Sequence, residues 1–224
     1  MALYGHFRTE HVLVHHRYVG TEKDAVTARF DENFYEFFVR ILPACIVSAW
    51  STETDRLARL GKSKYDKANP FWIYLAFPFI YLLLSFAIGG TLGVFLFFLQ
   101  ALVGVLHLEV VNYIEHYGLS RQVLENGKFE TTKPYHSWNA NHKASNRLLI
   151  NLQKHSDHHT KPNKSYALLQ SHDHNEAPQL PYGYPLMVVL SLIPSLWKRV
   201  MNPRVLNWRK QFYPEVVDWS KLST

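Results

Sequence analysis

The sequence predicts an all-α integral membrane protein, with a helical hairpin spanning the bilayer and a cytoplasmic histidine-rich cap. Three observations predict it. From Phe71 to Leu108, 38 residues pass without an Asp, Glu, Lys or Arg. Histidines recur at helical spacing on both sides of that stretch. No segment of any length alternates apolar and polar residues as a half-buried strand does. The chain has 224 residues, enough for one domain or two small ones. Hydrophobic residues make up 47% and charged residues 19%, against roughly 25% charged in soluble domains, so disorder is excluded as the main state. A mean hydropathy of −0.16 conceals a split between one apolar block and polar flanks. Cys45 is the single cysteine, which excludes an intramolecular disulfide framework and any multi-cysteine zinc or iron–sulfur site. The net charge of +6 favours an acidic partner or an anionic membrane surface.

Residues 1–69 read as a cytoplasmic segment carrying the first histidine cluster; Met1 to Gly20 is too polar for a cleavable signal peptide. Residues 70–110 hold the hairpin. Gly89, Gly90, Thr91 and Gly93 sit mid-way, where a turn falls, and leave two spans of about 18 residues, each about 27 Å long. The competing reading is one long buried helix of a soluble domain, in which so long a charge-free stretch rarely survives. Pro78 is expected to kink the first span. Arg56, Arg59, Lys62, Lys64 and Lys67 precede the hairpin, and Arg121, Lys128 and Lys133 follow it. By the positive-inside rule both ends face the cytoplasm. Residues 111–224 form the rest of the cap. Within it, the apolar run 185–197 is too short to span and contains Pro194, so it is expected to be interfacial or buried, with Lys198, Arg199 and Arg204 beside it.

Seven histidines fall into three groups. In Glu10-His11-Val-Leu-Val-His15-His16, positions i and i+4 share a helix face and i+5 lies about 100° further round. Asn112-Tyr-Ile-Glu115-His116 follows the second span directly. In His155-Ser-Asp157-His158-His159, the i, i+3, i+4 spacing again gives three imidazoles on one face. Imidazole suits iron, copper, zinc and nickel, and seven nitrogens exceed what one zinc accepts, so two metals fit the count better. Without thiolates, copper(I) and iron–sulfur chemistry lose ground to non-haem iron. A pH switch, chance enrichment and a structural zinc site are the bland alternatives. Glu10, Glu115 and Asp157, with Glu109 a weaker candidate, are placed to hold imidazole N–H groups; Asp157 as a direct ligand stays open.

These residues resemble a known family. Gly5-His6-Phe-Arg-Thr-Glu10-His11-x-x-x-His15-His16, Asn112-Tyr-Ile-Glu115-His116-Tyr-Gly118-Leu119 and Leu152-Gln-Lys-His155-Ser-Asp157-His158-His159 look like the histidine boxes of membrane alkane 1-monooxygenases, within the fatty acid desaturase and hydroxylase superfamily. Tyr135-His136-Ser-Trp138-Asn-Ala-Asn141-His142 and Pro178-Gln-Leu-Pro181-x-Gly183-Tyr184 resemble it too, and the likeness runs over roughly residues 4 to 205. Ordinary desaturases have two residues, not three, before the His-His of their second box. The resemblance implies a centre of two non-haem irons that activates O2. It implies insertion of one oxygen atom into a terminal C–H bond of a medium-chain n-alkane, with electrons from rubredoxin and an NADH-dependent reductase. It also implies a bacterial inner membrane with the active site on the cytoplasmic side, and no nucleic-acid partner. Carried over box by box, His11, His15, His16, His116, His155, His158 and His159 are the expected ligands, with His136, His142 and His6 in supporting positions. His107 is expected to hydrogen-bond within the bundle. Lys154, Lys161 and Lys164 flank the third box and are candidates for the acidic rubredoxin. The family's earlier His-Glu-x-x-His box is not found in this sequence. The chain is therefore expected to be the C-terminal part of a longer enzyme and, alone, to fall short of holding two irons in working geometry. A xylene-type or fatty acyl hydroxylase or desaturase, or an inactive metal-binding fragment, is the alternative.

Overall fold

The computed structural model describes residues 3–219, and among these every regular element is helical, with two isolated β-bridges, Val123 to Phe129 and Asn139 to Gln179. The chain begins with one irregular helix. Its parts are α1 (Phe7–Thr9), a π-helical stretch over Glu10–His15, and α2 (His16–Tyr18). Helix α3 (Phe34–Arg59) starts at a reciprocal cap: the Asn33 side chain accepts from the amides of Tyr35 and Glu36, and the Glu36 carboxylate accepts from the Asn33 amide. Its inward stripe of Phe34, Phe37, Ile41, Cys45, Ala49, Glu53 and Leu57 follows the three-and-four spacing of a buried helix face.

Helix α4 (Phe71–His116) is the apolar block. It reverses at Gly90, whose φ of 55° and ψ of −140° lie outside helical space in a region open to glycine. At Gly93 a Cβ would lie 2.0 Å from the Ser85 carbonyl oxygen, so the two limbs abut just beyond the turn. Most side chains from Trp72 to Val103 are exposed and apolar, Ile88 at 87%. Lone apolar residues on a surface are ordinary, but a continuous sleeve of them needs lipid or another apolar surface around it. By length and composition α3 and α4 could each cross a membrane. Helix α3 lies within the segment 1–69 expected to be cytoplasmic, and Glu36, Arg40 and Glu53 interrupt its apolar run. Its contacts show why those charges are tolerated. Trp50 near its end packs on Phe71 at 5.0 Å, and Phe37 near its start packs on Tyr113 at 5.3 Å. The helix thus bridges the foot of both limbs, with Glu53 paired to Arg56 and Arg40 to Glu32.

Beyond the hairpin, a 3₁₀ turn (Pro134–His136), α5 (Lys143–Leu148) and α6 (His155–Thr160) lead to a second 3₁₀ turn (Tyr166–Leu168), α7 (Tyr184–Ser191) and α8 (Pro194–Phe212). The apolar run 185–197 is therefore two helices, broken because Pro194 cannot continue a helix but is well suited to start one. Tyr184, Met187 and Trp197 enter the core, while Leu186, Val189, Leu192, Ile193 and Leu196 point outward. Trp197 is fully buried against Tyr113 and Tyr117. Arg121 fastens the helix carrying the first cluster to the loop after α4: it donates to the carbonyls of Arg17, Val19 and Glu130, and its amide donates to Gly20.

Two outcomes are expected from thermal unfolding in detergent micelles followed by circular dichroism. Gly93→Ala forces the limbs apart and costs about 1–3 kcal/mol, whereas Gly89→Ala, with nothing within 4 Å of its new methyl, is neutral or stabilising by about 0.4–1 kcal/mol. The second concerns Glu130. Burial raises its carboxyl, but hydrogen bonds from His136, Tyr213 and the Gln122 amide outweigh burial and bring it down to about 2. A value below the ordinary 4.5 means its contribution is complete above that pH and is lost as pH falls toward 2. Glu130→Gln should lower Tm at pH 7, and the gap to the wild type should close on acidification.

Candidate metal centre

The π-helical stretch sets the first cluster. A π turn bonds i to i+5, so His11 and His16 line up, and their Nε2 atoms lie 3.0 Å apart. His15, one residue earlier, turns to the other side. On α6 an ordinary turn achieves the same division: His155 and His159 meet at 2.9 Å between Nε2 atoms, and His158 points away. His116, the last residue of α4, enters beside them, its Nε2 3.0 Å from that of His155. The outcome is two groups. His15, His116, His155 and His159 are buried, each offering one donor atom within 4.8 Å of the others. His11, His16 and His158 form a second, half-buried set under the same limit. The groups adjoin, with the His16 and His159 ring centroids 5.0 Å apart. Sequence spacing put each cluster on one helix face; the π turn and the 100° step between His158 and His159 divide each between two groups instead.

A neutral imidazole has one N–H and one lone pair. His155 Nε2 faces the Nε2 atoms of both His116 and His159 and can serve only one of them, as donor or as acceptor. The buried His15 Nε2 has no hydrogen-bond partner. Burial, reinforced by the neighbouring imidazoles, favours the neutral form of four of the rings: His11 is brought down to about 2, His16 to about 4, and His155 and His159 lie well below the ordinary value. Converging neutral nitrogens with lone pairs left over fit a metal cation, and imidazole is a ligand for iron.

The carboxylates behave differently from one another. Glu115 is buried and lies 3.2 Å from His155 Nδ1. Glu10 is buried with neither oxygen hydrogen-bonded; burial, and then the charges of Asp24 and Glu109, raise its carboxyl to about 8. Glu109 accepts from Tyr4 and Asn112 rather than from an imidazole. Asp157 turns away from the clustered rings to accept from Lys164 at 2.6 Å and the Gln170 amide at 2.8 Å. The carboxylate that does bond a clustered ring is Asp24, whose Oδ2 accepts from His15 Nδ1 at 2.9 Å while Thr27 and the Val26 amide hold it in place. No local spacing points to it, because Asp24 lies nine residues past His15 in a loop. His136 is buried away from the cluster, bonded to Tyr213 and the Lys133 amide. His142 is exposed at the start of α5 and reaches none of the clustered rings. His6 is buried with its Nε2 unpartnered. His107 bonds the Val103 carbonyl, as expected within a helix, and also lines a cavity of about 400 Å³ beside the cluster. Phe7, Gly104, Leu108, Val111 and Leu152 supply that cavity's apolar wall, and His11, His155 and His158 its polar end. Of the three flanking lysines, Lys154 is tied to the Leu169 carbonyl and Lys164 to Asp157, while Lys161, 63% exposed, also pairs with Asp157 at 3.4 Å.

Among the described residues, an all-helical fold with an apolar hairpin and two converging histidine groups able to hold metal ions at its foot defines a class, the histidine-rich membrane proteins. The fatty acid desaturase family model matches residues 1–191, and the chain belongs to that family. Among individual relatives it is 40% identical to the alkane 1-monooxygenase of Ectopseudomonas oleovorans over 205 residues, covering 92% of this chain and 51% of the relative. It is 41% identical to alkane 1-monooxygenase 2 of Alcanivorax borkumensis over 202 residues, covering 90% and 52%. The xylene/toluene monooxygenase hydroxylase component XylM of Pseudomonas putida is 27% identical over 207 residues, covering 90% and 53%. The chain spans about half the length of the curated relatives it matches.

If Asp24 orients His15, Asp24→Asn should weaken Co²⁺ binding by roughly 10–100-fold, read from the visible absorption of bound Co²⁺. His142→Ala, far from the rings, should leave that affinity unchanged.

Proposed function

We propose that this chain carries the metal centre of a non-haem di-iron monooxygenase that hydroxylates the terminal carbon of medium-chain n-alkanes. The observation that carries the reading is the convergence of seven imidazoles beside an apolar cavity at the foot of a lipid-facing hairpin; the likeness to alkane 1-monooxygenases supports it. The four-histidine group (His15, His116, His155, His159) would hold one iron and the three-histidine group (His11, His16, His158) the other. Bound there, iron supplies the O2-activating redox chemistry that side chains lack. The chain's own residues do the rest. Phe7, Leu108, Val111 and Leu152 offer an alkyl chain an apolar wall and exclude water, and His155 and His158 set the end of the cavity against which a terminal methyl comes to rest. Alkane, O2, two electrons and two protons give primary alcohol and water.

The electrons come from rubredoxin and an NADH-dependent reductase in this reading, with Lys161, exposed two residues past His159, helping to steer an acidic donor. The hairpin crosses a bacterial inner membrane with the metal centre on the cytoplasmic side, as the basic flanks favour. The outward leucines and isoleucine of α7 and α8 lie in the interface plane beside Arg199 and Arg204. A second reading, hydroxylation of an aromatic methyl group, rests on the likeness to XylM.

Product analysis in membranes containing the chain, Fe²⁺, rubredoxin and reductase separates these readings. 1-Octanol from octane supports the first, and a benzylic alcohol from xylene in its place supports the second. Bound iron without turnover on either substrate identifies a metal-binding fragment. Iron near two per chain with turnover would overturn the expectation that these donors alone fall short. Where turnover is seen, His155→Ala should abolish it and lower bound iron.

A further inference from the structure

Tyr184 lies at the end of the Pro181-x-Gly183-Tyr184 stretch, to which nothing above gives a task. Its side chain is buried at the start of α7, and its hydroxyl donates to Glu115 Oε1 at 2.8 Å. That same oxygen lies 3.2 Å from His155 Nδ1, close but outside hydrogen-bond geometry, and His155 Nε2 meets the Nε2 atoms of His116 and His159. A chain of contacts therefore runs from α7 through a carboxylate on α4 to a donor on α6. The Tyr184 end is itself fixed. Its amide donates to Gln153 Oε1 at 3.4 Å, two residues before His155, and Gln153 also accepts from Ser145. The preceding Gly183 is packed so closely that a Cβ there would lie 2.6 Å from Ser145 Oγ.

The arrangement parallels the pair already described on the other side of the four-histidine group. There, His15 Nδ1 meets Asp24, and Thr27 Oγ1 and the Val26 amide donate to that carboxylate. Each pair has three parts: an imidazole offering Nε2 to the centre, a carboxylate at its Nδ1, and a donor that fixes the carboxylate. Among the described residues, the buried Glu115 carboxylate has Tyr184 as its hydrogen-bond donor. An unbraced carboxylate has several low-energy positions, and its imidazole shares that freedom; outer partners matter because they fix ring orientation and tautomer.

We propose that Tyr184 is a positioning residue of the metal centre: by holding the Glu115 side chain beside His155 Nδ1, it restricts the His155 ring and keeps its Nε2 aimed at the metal. The proposal rests on the metal-centre reading above.

The test is Co²⁺ titration of the whole chain in detergent micelles, with the visible ligand-field bands recorded for wild type, Tyr184→Phe, Glu115→Gln and the double variant. Tyr184→Phe should weaken the tighter Co²⁺ site by about tenfold, the low end of what outer partners contribute, and should shift its bands, a change that lost core packing alone would not produce. The double variant should bind no more weakly than Glu115→Gln, because the tyrosine acts through the carboxylate. Unchanged affinity and bands in Tyr184→Phe, or fully additive losses in the double variant, would overturn the proposal. So would a Glu115→Gln variant with wild-type affinity, whatever the folding of Tyr184→Phe. A wild-type chain that takes up no Co²⁺ would instead overturn the metal-centre reading itself, and this proposal with it.

Discussion

Four imidazole nitrogens directed at one buried point are the constraint on which the rest of the structure depends. Imidazoles in that arrangement cannot all satisfy one another, since His155 Nε2 has two partners at 2.9–3.0 Å and, in a neutral ring, capacity for one. Buried polar atoms without partners are costly and rare in folded proteins, so a cluster of this kind is suited to receive a cation. The surroundings are consistent with that demand. The rings come from three separate parts of the chain, and each part is anchored at a distance from the centre. Arg121 ties down the first, Trp197 packs under the end of α4, and the Asn139 side chain, bonded to Ser156, holds the start of α6.

The two groups differ in ways that matter for chemistry. The four-histidine group is buried, and two of its rings face carboxylates. The three-histidine group is half-exposed, and two of its members, His11 and His158, line the apolar cavity together with His155 of the buried group. A rigid, enclosed position beside an accessible one is a sensible division where a substrate must approach one side of a centre without disturbing its anchorage.

Much of this was legible in the sequence, for physical reasons. A charge-free run of 38 residues with glycines at its middle has few stable solutions, and the hairpin turning at Gly90 is one of them. The seven histidines that converge are the seven that spacing and resemblance selected. Other features left weaker marks. Helix α3 hides its length because Arg40 and Glu53 satisfy their charges within the fold, and a search for uncharged runs passes over it. Asp24 and Tyr184 act across large separations in the chain, where no local spacing points to them. The division into four and three depends on the backbone being π-helical at Glu10–His15, which a 3.6-residue period does not anticipate.

That π turn gives the difference in box length a structural meaning. The first cluster has three residues between its leading histidine and its His-His pair, and the third has two. Yet both deliver the same pattern: the outermost histidines join one group and the penultimate one joins the other. A residue inserted into an ordinary helix normally rotates everything beyond it by about 100°. Here the extra residue is taken up as a local widening of the helix, so the lengthened box keeps the geometry of the shorter one. Box length and imidazole placement are thereby uncoupled, provided the helix changes its winding where the extra residue enters.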